Sequence, residues 1–130
     1  MAMLKQSVFT VLVVVLVFAF LVCLQAATLN VPSEAYPTIQ AAIDAANYGD
    51  TVRVAAGTYL ENITLKDGVE VLGAGAELTT IDGQSRGPVV FACNVSASAR
   101  ISGFTIRNGH NWYGGGIFNG YYCSLTIDNC

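Results

Sequence analysis

The chain has 130 residues, six of them basic and nine acidic, with a formal charge of −3 and a hydrophobic content of 53%. The hydrophobic excess lies in the first two dozen residues, so the remainder reads as one water-facing domain rather than a membrane protein. A net acidic chain without a basic patch argues against nucleic acid as a partner.

Met1 to Ser7 carries one cation, Lys5, and no acid, and Val8 to Leu24 is an almost unbroken uncharged run of Val, Leu and Phe. Small residues follow, Ala26 and Ala27. This order is that of an export signal. The cut is expected after Ala26 or Ala27, although Leu24 and Gln25 are imperfect residues for the third position before it. The run also approaches the ~20 residues that span a bilayer, so an uncleaved anchor is the alternative. Membrane contact is expected only through this segment. Cys23 follows Phe20-Leu21-Val22, which lacks the small residue wanted before a lipidated cysteine. Residues 1–27 are assigned to the signal and 28–130 to a secreted or cell-surface domain.

The one helix expected in that domain begins after Pro37. Ile39, Ala42, Ile43 and Ala46 fall at i, i+3, i+4 and i+7, one apolar face, with Thr38 as N-cap and Asn47-Tyr48-Gly49 as the stop. Beyond it come short β-rich runs divided by Gly, Asn and Asp: 51–54, 63–65, 69–72, 79–81, 89–91, 100–107, 116–118 and 125–127. No second helix intervenes, which excludes alternating βαβ topology. The runs are too short, and hairpin dipeptides too few, for an antiparallel sandwich.

Phe104-Thr105-Ile106-Arg107-Asn108 returns as Leu125-Thr126-Ile127-Asp128-Asn129, and Thr80-Ile81-Asp82-Gly83 precedes the first by about 25 residues. A repeat of this length built only of short strands and turns points to a solenoid whose coils stack. Gly103 is expected to bend the chain between two strands of one coil. Asn108 and Asn129 are read as equivalent corners that stack as an amide ladder. The helix sits where an N-terminal lid belongs. No lid is evident at the other end, and the expectation is that the domain is truncated at its C-terminus.

Tyr36 to Ala46, then Gly49 to Val54 and Gly57 to Asn62, resemble the N-terminal region of pectin-lyase-like β-helix proteins and the opening of pectinesterases. Gly73-Ala74-Gly75 and Thr80 to Gly83 continue the likeness. Ile101 to Gly109 and Gly114 to Ile117 are similar to the parallel β-helix repeats of exported proteins. The resemblance implies an all-β, right-handed parallel β-helix with a short N-terminal capping helix. It does not select an activity, because the fold hosts lyases, hydrolases, esterases and adhesins.

No catalytic residue carries over: the pectinesterase Gln-Ala-Val-Ala-Leu-type segment is absent, and this chain reads Gly109-His110-Asn111-Trp112-Tyr113-Gly114. The acids are dispersed, so neither a calcium site nor a glycosidase carboxylate pair is marked; Asp82, Arg107 and Asp128 are the acids and base that neighbouring coils would bring to one surface. Gly73-Ala74-Gly75 lacks the third glycine and the helix of a nucleotide loop, and reads as a tight turn. No metal or cofactor is expected. Cys93, Cys123 and Cys130 remain after the signal; Cys123 and Cys130 are a candidate disulfide, with small buried residues in a stacked core as the alternative. Asn62-Ile63-Thr64 and Asn94-Val95-Ser96 match the glycosylation sequon. His110, Asn111, Trp112 and Tyr113, with Tyr121-Tyr122 nearby, suit a sugar, whose C–H face packs on a ring while its hydroxyls hydrogen-bond. Polysaccharide is therefore the expected partner of an exported β-helix module. The alternatives are the opening portion of a polysaccharide-acting enzyme and a structural adhesin stalk.

Overall fold

The computed structural model describes residues 2–22 and 25–130. Helix α1 spans Ala2–Val22, and its described apolar side chains, Val8 to Val15, are exposed. Among the described residues no helix is long and apolar enough to cross a membrane. Cys23 and Leu24, at the end of the apolar run, lie outside the described residues.

From Thr28 onward the chain is a parallel β-solenoid of about four turns. Strand β1 (Thr28–Val31) is followed by helix α2 (Ile39–Ala45). The next coil contains β2 (Thr51–Val54), β3 (Gly57–Tyr59) and β4 (Ile63–Thr64). Then come β5 (Glu70–Leu72), β6 (Thr79–Asp82) and β7 (Val90–Ala92), and after them β8 (Arg100–Ser102), β9 (Thr105–Arg107) and β10 (Ile117–Asn119). A last strand, β11 (Thr126–Asp128), opens one more turn. The strands form three sheets, β1-β2-β5-β8-β11, β3-β6-β9 and β4-β7-β10, and every pairing is parallel.

The register explains the core. Leu29, Val52, Val71, Ile101 and Ile127 stand opposite one another along the first sheet. Alternation puts them all on the inner face. The first four are at most 5% exposed, whereas Ile127 is 44% exposed, because β11 is the edge strand of its sheet. Phe104, Ile81, Ile63 and Val90 fill the interior from the corners and the other two sheets. A single coil offers only one row of such side chains and cannot shield it from water; burial comes from the coils above and below.

Helix α2 covers the other end. Ile39, Ala42, Ile43 and Ala46, the face expected from their spacing, are all buried. Thr38 is the N-cap, its hydroxyl accepting the Ala41 N–H at 3.1 Å. The β3–β4 coil finishes the lid. The Glu61 carboxylate accepts the N–H groups of Ile39 and Gln40 at 3.0 and 3.1 Å. At the opposite end, the Lys66 ammonium donates to the carbonyls of Ala46 and Asp44 at 2.6 and 3.3 Å. Each charge therefore sits at the helix end whose dipole it complements. The Gln40 amide accepts from the Thr64 N–H at 2.7 Å and donates to the Thr64 carbonyl at 3.3 Å, closing the free edge of β4.

Two sequence expectations need correction. The repeat at 104–108 and 125–129 does not mark equivalent positions. Ile106 lies on β9 of the second sheet, but Ile127 lies on β11 of the first, opposite Ile101. The amide ladder is accordingly not formed: Asn108 reaches up to Asp82, its Nδ2 donating to Oδ2 at 2.9 Å, and Asn129 bonds to its neighbour Asp128. The run from 100 to 107 is two strands, broken as expected at Gly103, whose φ of +79° sits in the left-handed region. β1 and β3 were not foreseen.

Candidate functional site

The three outer faces differ in chemistry. On the first sheet, Arg100 grips Asp128 with two parallel bonds, Nε to Oδ1 at 3.0 Å and Nη2 to Oδ2 at 2.6 Å. This pairing holds the Asp128 carboxyl below the usual carboxylate range. On the second sheet, Asp82 accepts from the Gln84 N–H at 2.9 Å, from Arg107 Nε at 3.0 Å and from Asn108. Its carboxyl is lowered chiefly by the Gln84 bond. Asp82 and Arg107 thus meet, as the sequence suggested, but Asp128 belongs to a different sheet with Arg100 as partner. Among the described residues no three His, Cys, Asp or Glu side chains cluster as metal ligands would.

A groove of about 380 Å³ crosses three coils where the first sheet turns toward the second, lined by Asn30, Arg53, Leu72 and the residues that follow each of them. Arg53 is its one charged group.

The third sheet is aromatic and uncharged. Thr64, Phe91 and Phe118 stand in register on its outer side, and the Phe91 and Phe118 rings stack with centroids 5.4 Å apart and planes 4° from parallel. Beside them is the β9–β10 loop. His110 N–H donates to the Gly87 carbonyl at 2.8 Å, and Val89 and Val90 donate to the carbonyls of Gly115 and Gly116 at 3.0 Å. The two arms of the loop touch at Gly109 and Gly115: a Cβ on Gly109 would fall on the Gly115 carbonyl oxygen. Only glycine permits this pinch, which pushes residues 110–114 outward.

The four residues singled out from sequence are therefore all on this projecting loop, with distinct positions. Trp112 and Tyr113 are 95% and 87% exposed. The Asn111 side chain turns back, its Oδ1 accepting the Tyr113 N–H at 3.4 Å. His110 is exposed, and its backbone anchors the loop. Tyr113 joins Phe118, Asn119, Gly120 and Tyr121 in lining an open groove of about 580 Å³. Tyr121 and Tyr122 are 85% and 91% exposed. The sequence flagged Tyr113 and Tyr121; its alternation put Phe91 on the inner side with Val89, whereas Val90 and Ala92 are the buried side of β7 and Phe91 faces out, and the face it shares with Phe118 and Asn119 follows only from the coil register.

Cys93, Cys123 and Cys130 are all free thiols, the first two half-buried and the third exposed, so the candidate Cys123–Cys130 bridge is not formed. In comparison with known proteins, no family model, no curated protein and no solved structure matches this chain.

Proposed function

We propose that this chain is an exported module, a right-handed β-helix of pectin-lyase-like type, that contacts polysaccharide through the aromatic third face. The observation that carries the reading is the concentration of exposed rings, Trp112, Tyr113, Tyr121 and Tyr122, beside the stacked Phe91–Phe118 pair. Four side chains of this size left in water within residues 112–122 mark a contact surface. Flat rings flanked by an amide and hydroxyls match the two-sided chemistry of a sugar. The handedness follows the general rule for parallel strands joined by crossovers. Export rests on the charge and hydropathy order of residues 1–27.

Trp112 is the only tryptophan, so its emission reports on the loop alone. Polysaccharide is expected to quench or shift that emission saturably, and Tyr121→Ala to weaken binding roughly two- to tenfold, the range expected for loss of one aromatic contact. Retention of polysaccharide unchanged in both Trp112→Ala and Tyr121→Ala variants would remove this face from consideration.

A further inference from the structure

Resting on the polysaccharide reading, we infer that the aromatic face takes a neutral glycan, one whose sugars carry hydroxyls but no carboxylate, sulfate or phosphate. From Asn108 to Ile127 the chain contains no Asp, Glu, Lys or Arg. The strands of the third sheet, Ile63-Thr64, Val90-Phe91-Ala92 and Ile117-Phe118-Asn119, contain none either. Neither does the lining of the groove between Tyr113 and Tyr121. The nearest cation in sequence, Arg107, is already bonded to Asp82 on another face.

A polyuronate would bring one carboxylate per sugar onto this surface. Each would lose hydration against rings and meet no cation on these strands or in the groove lining, on a chain whose own net charge is negative. Neutral pyranoses avoid that cost. Their C–H faces lie on Tyr113, Tyr121 and Trp112, and the tyrosine hydroxyls and the Asn119 amide both donate to and accept from sugar hydroxyls. Charge-free recognition is also insensitive to salt, unlike attraction between exposed charges.

The test is a titration of Trp112 emission with two sets of hexasaccharides, at low and at high salt. The neutral set contains oligomers of glucose, mannose, xylose and galactose; the acidic set contains those of galacturonate and mannuronate. Saturable binding of a neutral member, unchanged by salt, with the acidic set at least about tenfold weaker, is the expected result. Tighter binding of an acidic member that decays with salt overturns this inference and leaves the polysaccharide reading standing. No response to either set overturns both.

A second observation bears on where the expected signal is cut, which the residues around Ala26 and Ala27 leave open. Asp50 is only 5% exposed, and its carboxylate accepts the Ala27 N–H at 2.8 Å through Oδ1 and the Asn47 N–H at 2.7 Å through Oδ2. The Thr51 N–H donates to the Ala27 carbonyl at 2.9 Å, starting the pairing of β1 with β2. We infer that cleavage falls after Ala26. Peptide hydrolysis there leaves a carboxylate on the released leader and turns the Ala27 nitrogen into an ammonium held against Asp50. A cut one residue later would discard both Ala27 contacts and leave Asp50 facing Asn47 alone. N-terminal sequencing of the exported chain is expected to begin at Ala27. Asp50→Asn should then lower the urea midpoint of the processed chain more than that of the chain retaining its leader. A start at Thr28, or equal losses in the two forms, overturns the assignment. A chain still beginning at residue 1 or 2 overturns the cleaved-signal reading with it.

Discussion

Truncating Ile101 to Ala removes three carbons from the centre of the first sheet's inner row, with Val71 above and Ile127 below. The side chain is fully buried. At about 0.8 kcal/mol per buried CH₂ the lost transfer energy is about 2.4 kcal/mol. If roughly 40 Å³ of the vacated space stays unfilled, the cavity adds about 1 kcal/mol at ~24 cal/mol per Å³. The total is ~3.4 kcal/mol. Ile127→Ala is the same chemical change in the same row, one coil further on. With the side chain 44% exposed and no closed cavity left behind, the transfer contribution falls to about 1.3 kcal/mol. Urea denaturation followed by far-ultraviolet circular dichroism measures both. With a slope of ~1.5 kcal/mol per M, the Ile101 variant should lose about 2 M in midpoint and the Ile127 variant less than 1 M. Equal losses, or the larger loss at Ile127, would refute the stacking order on which the comparison depends.

Three further outcomes follow from named contacts. Glu61→Ala withdraws the acceptor from two N–H groups at the start of α2 and is expected to cost about 1 kcal/mol, with protection of the Ile39 and Gln40 amides lost in hydrogen exchange. Gly109→Ala places a methyl group against the Gly115 carbonyl; it is expected to shift the Trp112 emission and abolish glycan binding while the amides of β2 and β5 keep their exchange protection. The carboxyls of Asp50, Asp67, Asp82 and Asp128 are all lowered: Asp50 by the Ala27 and then the Asn47 N–H, Asp67 by the Ser96 hydroxyl and N–H, Asp82 by the Gln84 N–H, and Asp128 by Arg100. A group whose folded pKa lies below its unfolded value of about 3.9 stabilises the fold fully above that value and loses its contribution as pH falls through the folded one. Stability should therefore be flat at neutral pH and drop below about pH 4, with a shallower acid limb in Asp82→Asn; a profile unchanged by that substitution would contradict the assignment.

The sequence carried the elements better than their arrangement. The α2 face was readable because a helix imposes a fixed spacing, and Ile39, Ala42, Ile43 and Ala46 obey it. Runs such as Thr51–Val54 were readable because one buried side alternates with one wet side. The coil register was not, since nothing local distinguishes a strand of one sheet from a strand of another. Phe104-Thr105-Ile106 and Leu125-Thr126-Ile127 satisfy the same inner-outer pattern yet occupy different sheets. The stack itself is uneven: Thr51, Glu70, Arg100 and Thr126 pair in succession at separations of 19, 30 and 26 residues, as turn lengths vary while the strand spacing does not. β3 escaped notice because Gly57-Thr58-Tyr59 has only a half-buried Tyr59 to mark it. β1 escaped because its four residues follow directly on the apolar leader. The same uncertainty hid half of the aromatic face: Phe91 and Phe118 are 27 residues apart and share no motif, and only the pairing of β7 with β10 makes them neighbours.

Methyl–methyl nuclear Overhauser contacts in a chain labelled at Ile, Leu and Val test the stacking most directly. The expected result is an unbroken line of contacts, Leu29 to Val52 to Val71 to Ile101 to Ile127, with no close Hα–Hα contacts between strands. Strong Hα–Hα contacts between successive strands such as β2 and β3, or a line that places Ile127 beside Ile106 instead of Ile101, would contradict it.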